Sequence, residues 1–153
     1  MPRWYFEDFT PGLTLEAKGP TVTKEAVIAF ATQFDPQPFH LTEEGAKNSL
    51  FGSLCASGWH TAAMTMRMMC DAYLLDSSSL GSPGIENMRW VKPVFVGDTL
   101  HGKLTVLEQR PSKSKPFMGS VLAKWDVSNQ KGELVLEMTS WAMFRKRDAA
   151  NAG

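Results

Sequence analysis

Apolar side chains at helical spacing predict helices in the first half of the chain. The first helix begins after Thr23, a residue type that favours the N-cap, and ends near Phe34 because Pro36 disfavours helical geometry at the residue before it. Thr42 opens a second, short helix, and residues 57–75 form the main helix. This main helix is apolar on nearly all sides, so we expect protein to surround it. Its buried face is expected to comprise Trp59, Ala62, Ala63, Met66, Met69, Cys70 and Tyr73.

Alternating polar and apolar residues in the second half of the chain are typical of β-strands. The predicted strands are residues 13–17, 85–91, 100–108, 117–127 and 134–144. A Ser- and Gly-rich stretch, residues 76–84, is predicted as a loop, and residues 129–132 as a hairpin turn. Helices followed by an antiparallel meander predict an α+β fold in which the sheet curves round one buried helix. Residues 1–153 are expected to form one domain that ends in a frayed polar tail, residues 145–153.

Composition excludes several functional classes. The chain has 153 residues, 43% of them hydrophobic and 21% charged, which is an ordinary mixture for a globular domain. Because Lys and Arg (16) balance Asp and Glu (16), the net charge of zero gives no electrostatic reason to expect nucleic acid or an anionic membrane as a partner.

No segment of the sequence resembles a targeting or membrane-spanning element. The most apolar stretch, residues 59–75, is interrupted by Arg67 and Asp71 and is too short to span a bilayer. The N-terminus lacks the apolar core of a signal peptide. Cys55 and Cys70 cannot form a disulfide framework and are expected to be reduced core residues. These features predict a cytoplasmic protein.

The loop between the first two helices carries candidate catalytic residues. Asp35 and His40 lie five positions apart, and Pro36 and Pro38 restrict the backbone between them. A carboxylate and an imidazole held in a stiff loop suit general acid–base catalysis, which needs both groups within hydrogen-bond reach of one site. The residues alone leave a structural explanation open, because Asp before Pro commonly ends a helix and a His beside Phe39 can be a packed core residue.

A second candidate feature is the start of the main helix. The first N–H groups of a helix have no partner within the helix and attract anions and carbonyl oxygens. Gly58 lies at this point and would allow a ligand to approach its N–H closely. A structural explanation is equally open here, since Ser57 is a good N-cap and Gly58 can provide a close contact between helix and sheet.

These two features together resemble a known family. Residues 35–40, Asp-Pro-Gln-Pro-Phe-His, resemble the hydratase motif of the MaoC-like family, which includes the (R)-specific enoyl-CoA hydratases. The Ser57-Gly58 pair falls where that family has the glycine that opens its central helix. Residues 89–100 resemble its strand-turn-strand segment with a Pro-Val and a Gly-Asp pair. The family's motif has Asn where this chain has Gln37, a longer side chain that makes the same kinds of hydrogen bond.

The resemblance implies a hot-dog fold and an acyl-CoA substrate. Such enzymes add water reversibly to trans-2-enoyl-CoA and give (R)-3-hydroxyacyl-CoA, with no metal and no cofactor. Asp35 and His40 would hold the water as catalytic residues, one as base and one as acid. The Gly58 N–H would form the oxyanion hole, and Gln37 and Ser57 would bind the substrate.

Two other functions remain open on the residues alone: a hot-dog acyl-CoA thioesterase, and a non-catalytic domain that binds acyl-CoA. The presence of both Asp35 and His40 favours the hydratase. The resemblance also implies a homodimer or higher homo-oligomer with the substrate tunnel near the interface. Exposed sheet edges and the abundance of Trp (5), Phe (9) and Met (9) agree with such a partner.

Overall fold

A computed structural model of the chain describes residues 1–150, with only the backbone of residue 150. Its strands are β1 (Thr14–Thr21), β2 (Ser79–Trp90), β3 (Thr99–Pro111), β4 (Met118–Ser128) and β5 (Leu134–Arg145). They form one antiparallel sheet in the order β1-β3-β4-β5-β2, so that β1 and β2 are its edges. The late meander predicted from alternation is confirmed.

Within residues 1–150, four α-helices accompany the sheet: α1 (Lys24–Phe34), α2 (Glu43–Lys47), α3 (Gly58–Ala72) and α4 (Arg147–Ala150). Both predicted threonine N-caps are present. Thr23 Oγ1 accepts from the Ala26 N–H at 3.2 Å, and Thr42 Oγ1 accepts from the Gly45 N–H at 2.9 Å. Each bond satisfies one of the N–H groups that a helix start leaves free, so the sequence defined these two starts locally.

The central helix α3 packs against the sheet through close glycine contacts. A Cβ built on Gly19 of β1 would lie 2.5 Å from the sulfur of Met68 in α3. One on Gly102 of β3 would lie 3.7 Å from the Met68 methyl group and 2.9 Å from the ring of Trp125 in the neighbouring strand β4. Neither position can hold a larger residue without displacing the core. A central helix lying against an antiparallel sheet is the hot-dog fold of the α+β class, as expected.

The predicted buried face of α3 is wrong in part. Met69 and Tyr73 are buried, but Trp59 and Met66 are 60% and 48% exposed. Two threonines take the core side instead, Thr61 and Thr65. Thr65 donates its hydroxyl to the Thr61 carbonyl one turn earlier at 2.9 Å, so burying it leaves no polar atom unsatisfied. A prediction from hydrophobicity alone therefore assigned two exposed apolar residues, Trp59 and Met66, to the buried face.

The start of β2 also differs from the prediction. Residues 79–84 belong to the strand rather than to a loop, and they pair with β5 through several register shifts. Gly81 adopts a φ of 100°, which suits the bulged pairing and which other residues rarely adopt. The Ser- and Gly-rich composition of residues 79–84 predicts a loop. Their strand structure comes from pairing with β5, which local composition does not reveal.

The predicted polar tail begins later than expected. Arg145 ends β5, and α4 follows it with Arg147 bound to the first residues of the chain: its side chain donates to the Asp8 carboxylate at 2.7 Å. Residues 151–153, the rest of that predicted tail, lie outside the described residues. Among the helices described, none combines the length and the apolar character needed to cross a bilayer.

Candidate active site

The end of α1 places Asp35 beside the site. Its backbone N–H closes the helix on the Ala31 carbonyl at 2.8 Å, and a 3-10 turn follows at Pro38–His40. This turn packs closely on α2, since a Cβ on Gly45 would lie 2.4 Å from the Pro38 oxygen. The two prolines and this contact fix the loop, and His40 is buried at its end.

The tautomer of His40 follows from its hydrogen bond. Its Nδ1 lies 2.7 Å from the backbone oxygen of Cys55. Because a carbonyl oxygen only accepts, Nδ1 must carry the hydrogen. Nε2 is therefore the nitrogen free for chemistry, and it lies 3.4 Å from Oδ2 of Asp35. The predicted pair is thus brought together with one defined atom of each residue facing the other.

Two side chains donate hydrogen bonds to the Asp35 carboxylate. The Ser57 hydroxyl donates to Oδ2 and the Gln37 amide to Oδ1, both at 2.7 Å. The bond from Ser57, assisted by the Gln37 bond and the charge of His40, lowers the pKa of Asp35 against the opposing effect of burial. Asp35 is accordingly a carboxylate at neutral pH.

Ser57 stands at the N-cap position of α3, as expected. Within the part of the chain that the structure describes, its hydroxyl bonds to Asp35 and not to the first turn of the helix. Ser57 is fully buried. The two residues expected to bind substrate, Ser57 and Gln37, therefore both have their side-chain donors on Asp35.

Gly58 begins α3, and the indole of Trp90 lies over it. Trp90 Nε1 donates to the Gly58 carbonyl at 2.7 Å, and a Cβ at position 58 would lie 2.6 Å from the ring. Only glycine fits beneath this indole, while the Gly58 N–H, the first of the helix, has no acceptor within the helix. Sequence reasoning did not assign a role to Trp90, although it lies in the strand-turn-strand segment that carried the resemblance.

A cavity of about 250 Å³ opens beside these residues, and we call it the reaction cavity. Among the described residues, its walls include His40 and Gly58 but not Asp35, whose side chain is 18% exposed next to His40. Other wall residues are Phe51, Cys55, Ala56, Thr61, Trp90, Val91, Lys92, Pro93 and Val94. The imidazole and the start of α3 therefore face one shared space.

Cys55 lines the reaction cavity but is unsuited to nucleophilic chemistry. Burial raises the pKa of its thiol to about 11, so the thiolate is scarce at neutral pH. Both cysteines are free, Cys55 buried and Cys70 half-buried. The contribution of Cys55 to the site is its carbonyl oxygen, which orients His40.

The class of protein is defined by the fold and the site: an α+β hot-dog domain with an Asp–His pair beside the start of its central helix. Comparison with known proteins gives the family. The MaoC like domain matches residues 8–124, and the chain belongs to this family. Its structure is similar to that of the MaoC-like dehydratase from Rhodospirillum rubrum, with a TM-score of 0.87 and 42% identity, covering 94% of this chain and 97% of that one.

Two curated relatives have named activities. The 3-hydroxybutyryl-CoA dehydratase of Methylorubrum extorquens is 27% identical over 139 residues, which are 88% of this chain and 83% of that protein. The mesaconyl-CoA hydratase of Cereibacter sphaeroides is 40% identical over 73 residues, which are 48% of this chain and only 21% of that protein. Similarity to this second relative therefore concerns a small part of its length.

Proposed function

We propose that this protein is a hydro-lyase that adds water reversibly to trans-2-enoyl-CoA thioesters and gives (R)-3-hydroxyacyl-CoA. The observation that carries the proposal is the separation of 3.4 Å between Asp35 Oδ2 and His40 Nε2, beside a cavity that contains the start of α3. Membership of the MaoC-like family and the named relatives that act on CoA thioesters support the same reaction class.

Asp35 is the base in this proposal. Its two side-chain donors favour the ionised form, so at neutral pH it is available to accept a proton and does not carry one beforehand to donate. A water hydrogen-bonded to both Asp35 and His40 attacks the β-carbon of the enoyl group, and Asp35 takes the proton that this water loses. The hydroxyl group is thereby transferred to the β-carbon.

His40 is the acid. As an imidazolium it keeps its Nδ1 hydrogen on the Cys55 carbonyl and delivers the Nε2 proton to the α-carbon. One proton has then left water and one has reached the substrate, so the sum is the addition of H₂O. Transfer of the proton from Asp35 back to His40 across their 3.4 Å separation restores both groups.

The start of α3 stabilises the charge that develops during this addition. Attack at the β-carbon moves electron density onto the thioester oxygen, giving an enolate-like transition state. The Gly58 N–H is the donor for that oxygen, aided by the positive end of the helix dipole. The Trp90 bond to the Gly58 carbonyl holds this peptide group in place.

Gln37 and Ser57 serve the base rather than the substrate. Each donates to a different oxygen of Asp35, so together they fix the plane of the carboxylate as well as its charge. We therefore assign them as positioning residues. Asn, the residue of the family motif, would reach one methylene less far than Gln37.

A homodimer joined at β2 completes the proposal. Both edge strands are open to pairing, and both carry charged residues and a proline, so these features do not distinguish the two edges. Exposed apolar area does distinguish them, because the second half of β2 exposes Ile85 (54%) and Trp90 (45%). An isologous contact through this segment would cover both residues and lie next to the reaction cavity.

Incubation with crotonyl-CoA tests the proposed reaction. Loss of the conjugated double-bond absorbance, with (R)-3-hydroxybutyryl-CoA found by chiral chromatography, is the expected outcome. Release of free thiol with the double bond intact would establish a thioesterase instead. Saturable binding with neither change would establish a non-catalytic acyl-CoA-binding domain.

A further inference from the structure

An apolar cleft of about 280 Å³ lies next to the reaction cavity, between α3 and the strands β2 and β5. Three α3 residues that line it, Trp59, Ala62 and Met66, recur three and four positions apart and so share one face of the helix. From the sheet side it is lined by Met88 of β2 and Met138 of β5, which are register partners. Almost all of its surface is apolar, so no group in it suggests chemistry of its own.

Two tryptophans stand where the cleft and the reaction cavity meet. Trp90 lines the reaction cavity and Trp59 lines the cleft. Their rings touch edge to face, with centroids 5.3 Å apart and planes at 77°. Met88 lies two positions before Trp90 on the same side of β2, so the wall of the cleft continues directly into the wall of the reaction cavity.

The reaction cavity is small for a ligand site. Its volume of about 250 Å³ falls below the roughly 300–1,000 Å³ of typical small-molecule pockets. It can hold the reacting carbons and a short acyl group, whereas a longer chain has to continue into another apolar space. The cleft is such a space, and the tryptophan pair separates it from the reacting atoms.

We infer that Trp59 and Trp90 form a partition that limits the length of the acyl chain, so that the protein selects short acyl-CoA thioesters. This inference rests on the proposed function for its substrate class. Trp90 is fixed by its bond to the Gly58 carbonyl, and Trp59 is fixed against Trp90. Removing either indole joins the two spaces, and the methylenes of a longer chain then become buried in the cleft.

Binding of saturated thioesters tests the partition without any turnover. Affinities for butyryl-CoA and octanoyl-CoA are measured by titration calorimetry on the whole protein and on Trp59→Ala, a substitution at an exposed position. Trp59→Ala is expected to raise the preference for octanoyl-CoA at least about tenfold, since burying two further methylenes already gives roughly that factor. Trp90→Phe, which shortens the other side of the partition, is expected to shift the preference in the same direction.

Ala62→Leu provides the matched control, because it fills the cleft and leaves both tryptophans in place. Alone it should leave the preference unchanged, since a closed partition already keeps the chain out. Combined with Trp59→Ala it should cancel the gain. Circular dichroism and a melting curve for each variant confirm that the compared proteins are folded.

Two results would overturn the inference: an unchanged preference in Trp59→Ala, or a gain that survives the addition of Ala62→Leu. If the unchanged preference came with dissociation of an oligomer, Trp59 would be assigned instead to a contact between two copies of the chain. Failure of the proposed function is separate: the wild-type protein would then leave crotonyl-CoA unhydrated while the binding preference still responds to Trp59→Ala.

Discussion

The hydroxyl of Ser57 donates a hydrogen bond of 2.7 Å to Oδ2 of Asp35, a residue 22 positions earlier in the chain. The same oxygen lies 3.4 Å from Nε2 of His40. One carboxylate oxygen therefore joins the end of α1, the buried imidazole and the start of α3. The geometry of the candidate site depends on this junction, and substitutions can test each of its parts separately.

Removing either member of the Asp–His pair should abolish most turnover while the fold persists. Asp35→Asn and His40→Gln keep approximate side-chain size and remove the capacity for proton transfer. Each should lower kcat for crotonyl-CoA hydration by roughly 10²–10⁴-fold. The double variant should lose far less than the product of the two factors, because both residues act on one water. Near-wild-type turnover in either variant would remove that residue from the catalytic assignment.

Ser57→Ala should move the acid limb of the pH profile. The bond from Ser57 is the largest of the effects that lower the pKa of Asp35. Its loss should raise that pKa, so kcat/KM should begin to fall at a higher pH than in the wild-type protein. Gln37→Leu should act in the same direction, and Gln37→Asn should restore part of the wild-type profile. A limb that stays in place in all three variants would mean that these donors do not tune Asp35.

The same pKa shift links the site to stability. Folding lowers the pKa of Asp35 below 3.8, so the ionised carboxylate stabilises the folded state at neutral pH and loses this effect as the pH falls through the lowered pKa. Asp35→Asn should therefore make the free energy of unfolding less dependent on pH in the acid range. Urea titrations of both proteins at several acidic pH values measure the difference.

Gly58→Ala should displace Trp90. The added Cβ would lie 2.6 Å from the indole, so the ring or the helix start must move. We expect a loss of about 1–3 kcal/mol in the free energy of unfolding, typical of overpacking, and a fall in kcat as the N–H shifts. Adding Trp90→Ala should recover stability by removing the clash. A Gly58→Ala variant as stable and active as the wild type would contradict the close packing of the Trp90 indole on residue 58.

The proposed dimer is tested by introducing Lys at one exposed position on β2, within the proposed interface, and at one on β3, outside it. Ile85 on β2 and Leu107 on β3 are similarly exposed, at 54% and 46%. Ile85→Lys should weaken self-association at least about tenfold, because Lys on a strand edge opposes pairing, whereas Leu107→Lys should leave it unchanged. Sedimentation over a range of concentrations measures both, and the melting temperature of the wild type should rise with concentration. A wild-type protein that stays monomeric and active would contradict the dimer.

Features that depend on neighbouring residues in the chain could be read from the sequence. The caps at Thr23 and Thr42 and the end of α1 before Pro36 were of this kind, since each rests on contacts within four residues. The Asp35–His40 loop could be identified as a candidate site because both residues lie in one short motif, residues 35–40, that resembles the hydratase motif of the family. The fold itself followed from the order of helices and strands together with the resemblance.

Features set by distant contacts could not be read in this way. Ser57 looked like an ordinary N-cap, and only the folded chain brings Asp35 to its hydroxyl. Exposed residues of α3, Trp59 and Met66, were assigned to its buried face because the helix is apolar on both sides and the hydroxyl of Thr65 is satisfied by the helix backbone. A tryptophan over Gly58 could not be foreseen either, because the two residues are 32 positions apart.

The hydrogen bond between His40 and the Cys55 carbonyl closes the base of a loop whose outermost residue, Leu50, is fully exposed. His40 Nε2 is therefore positioned by the two ends of this loop and by the packing of α2 on the Pro38 turn, and not by the exposed residues near Leu50. Since the entropy cost of closing a loop grows only slowly with its length, residues near its tip can be inserted, deleted or exchanged with little effect on Nε2. Changes confined to this tip would thus alter the rim of the candidate site and leave the separation of His40 Nε2 and Asp35 Oδ2 unchanged.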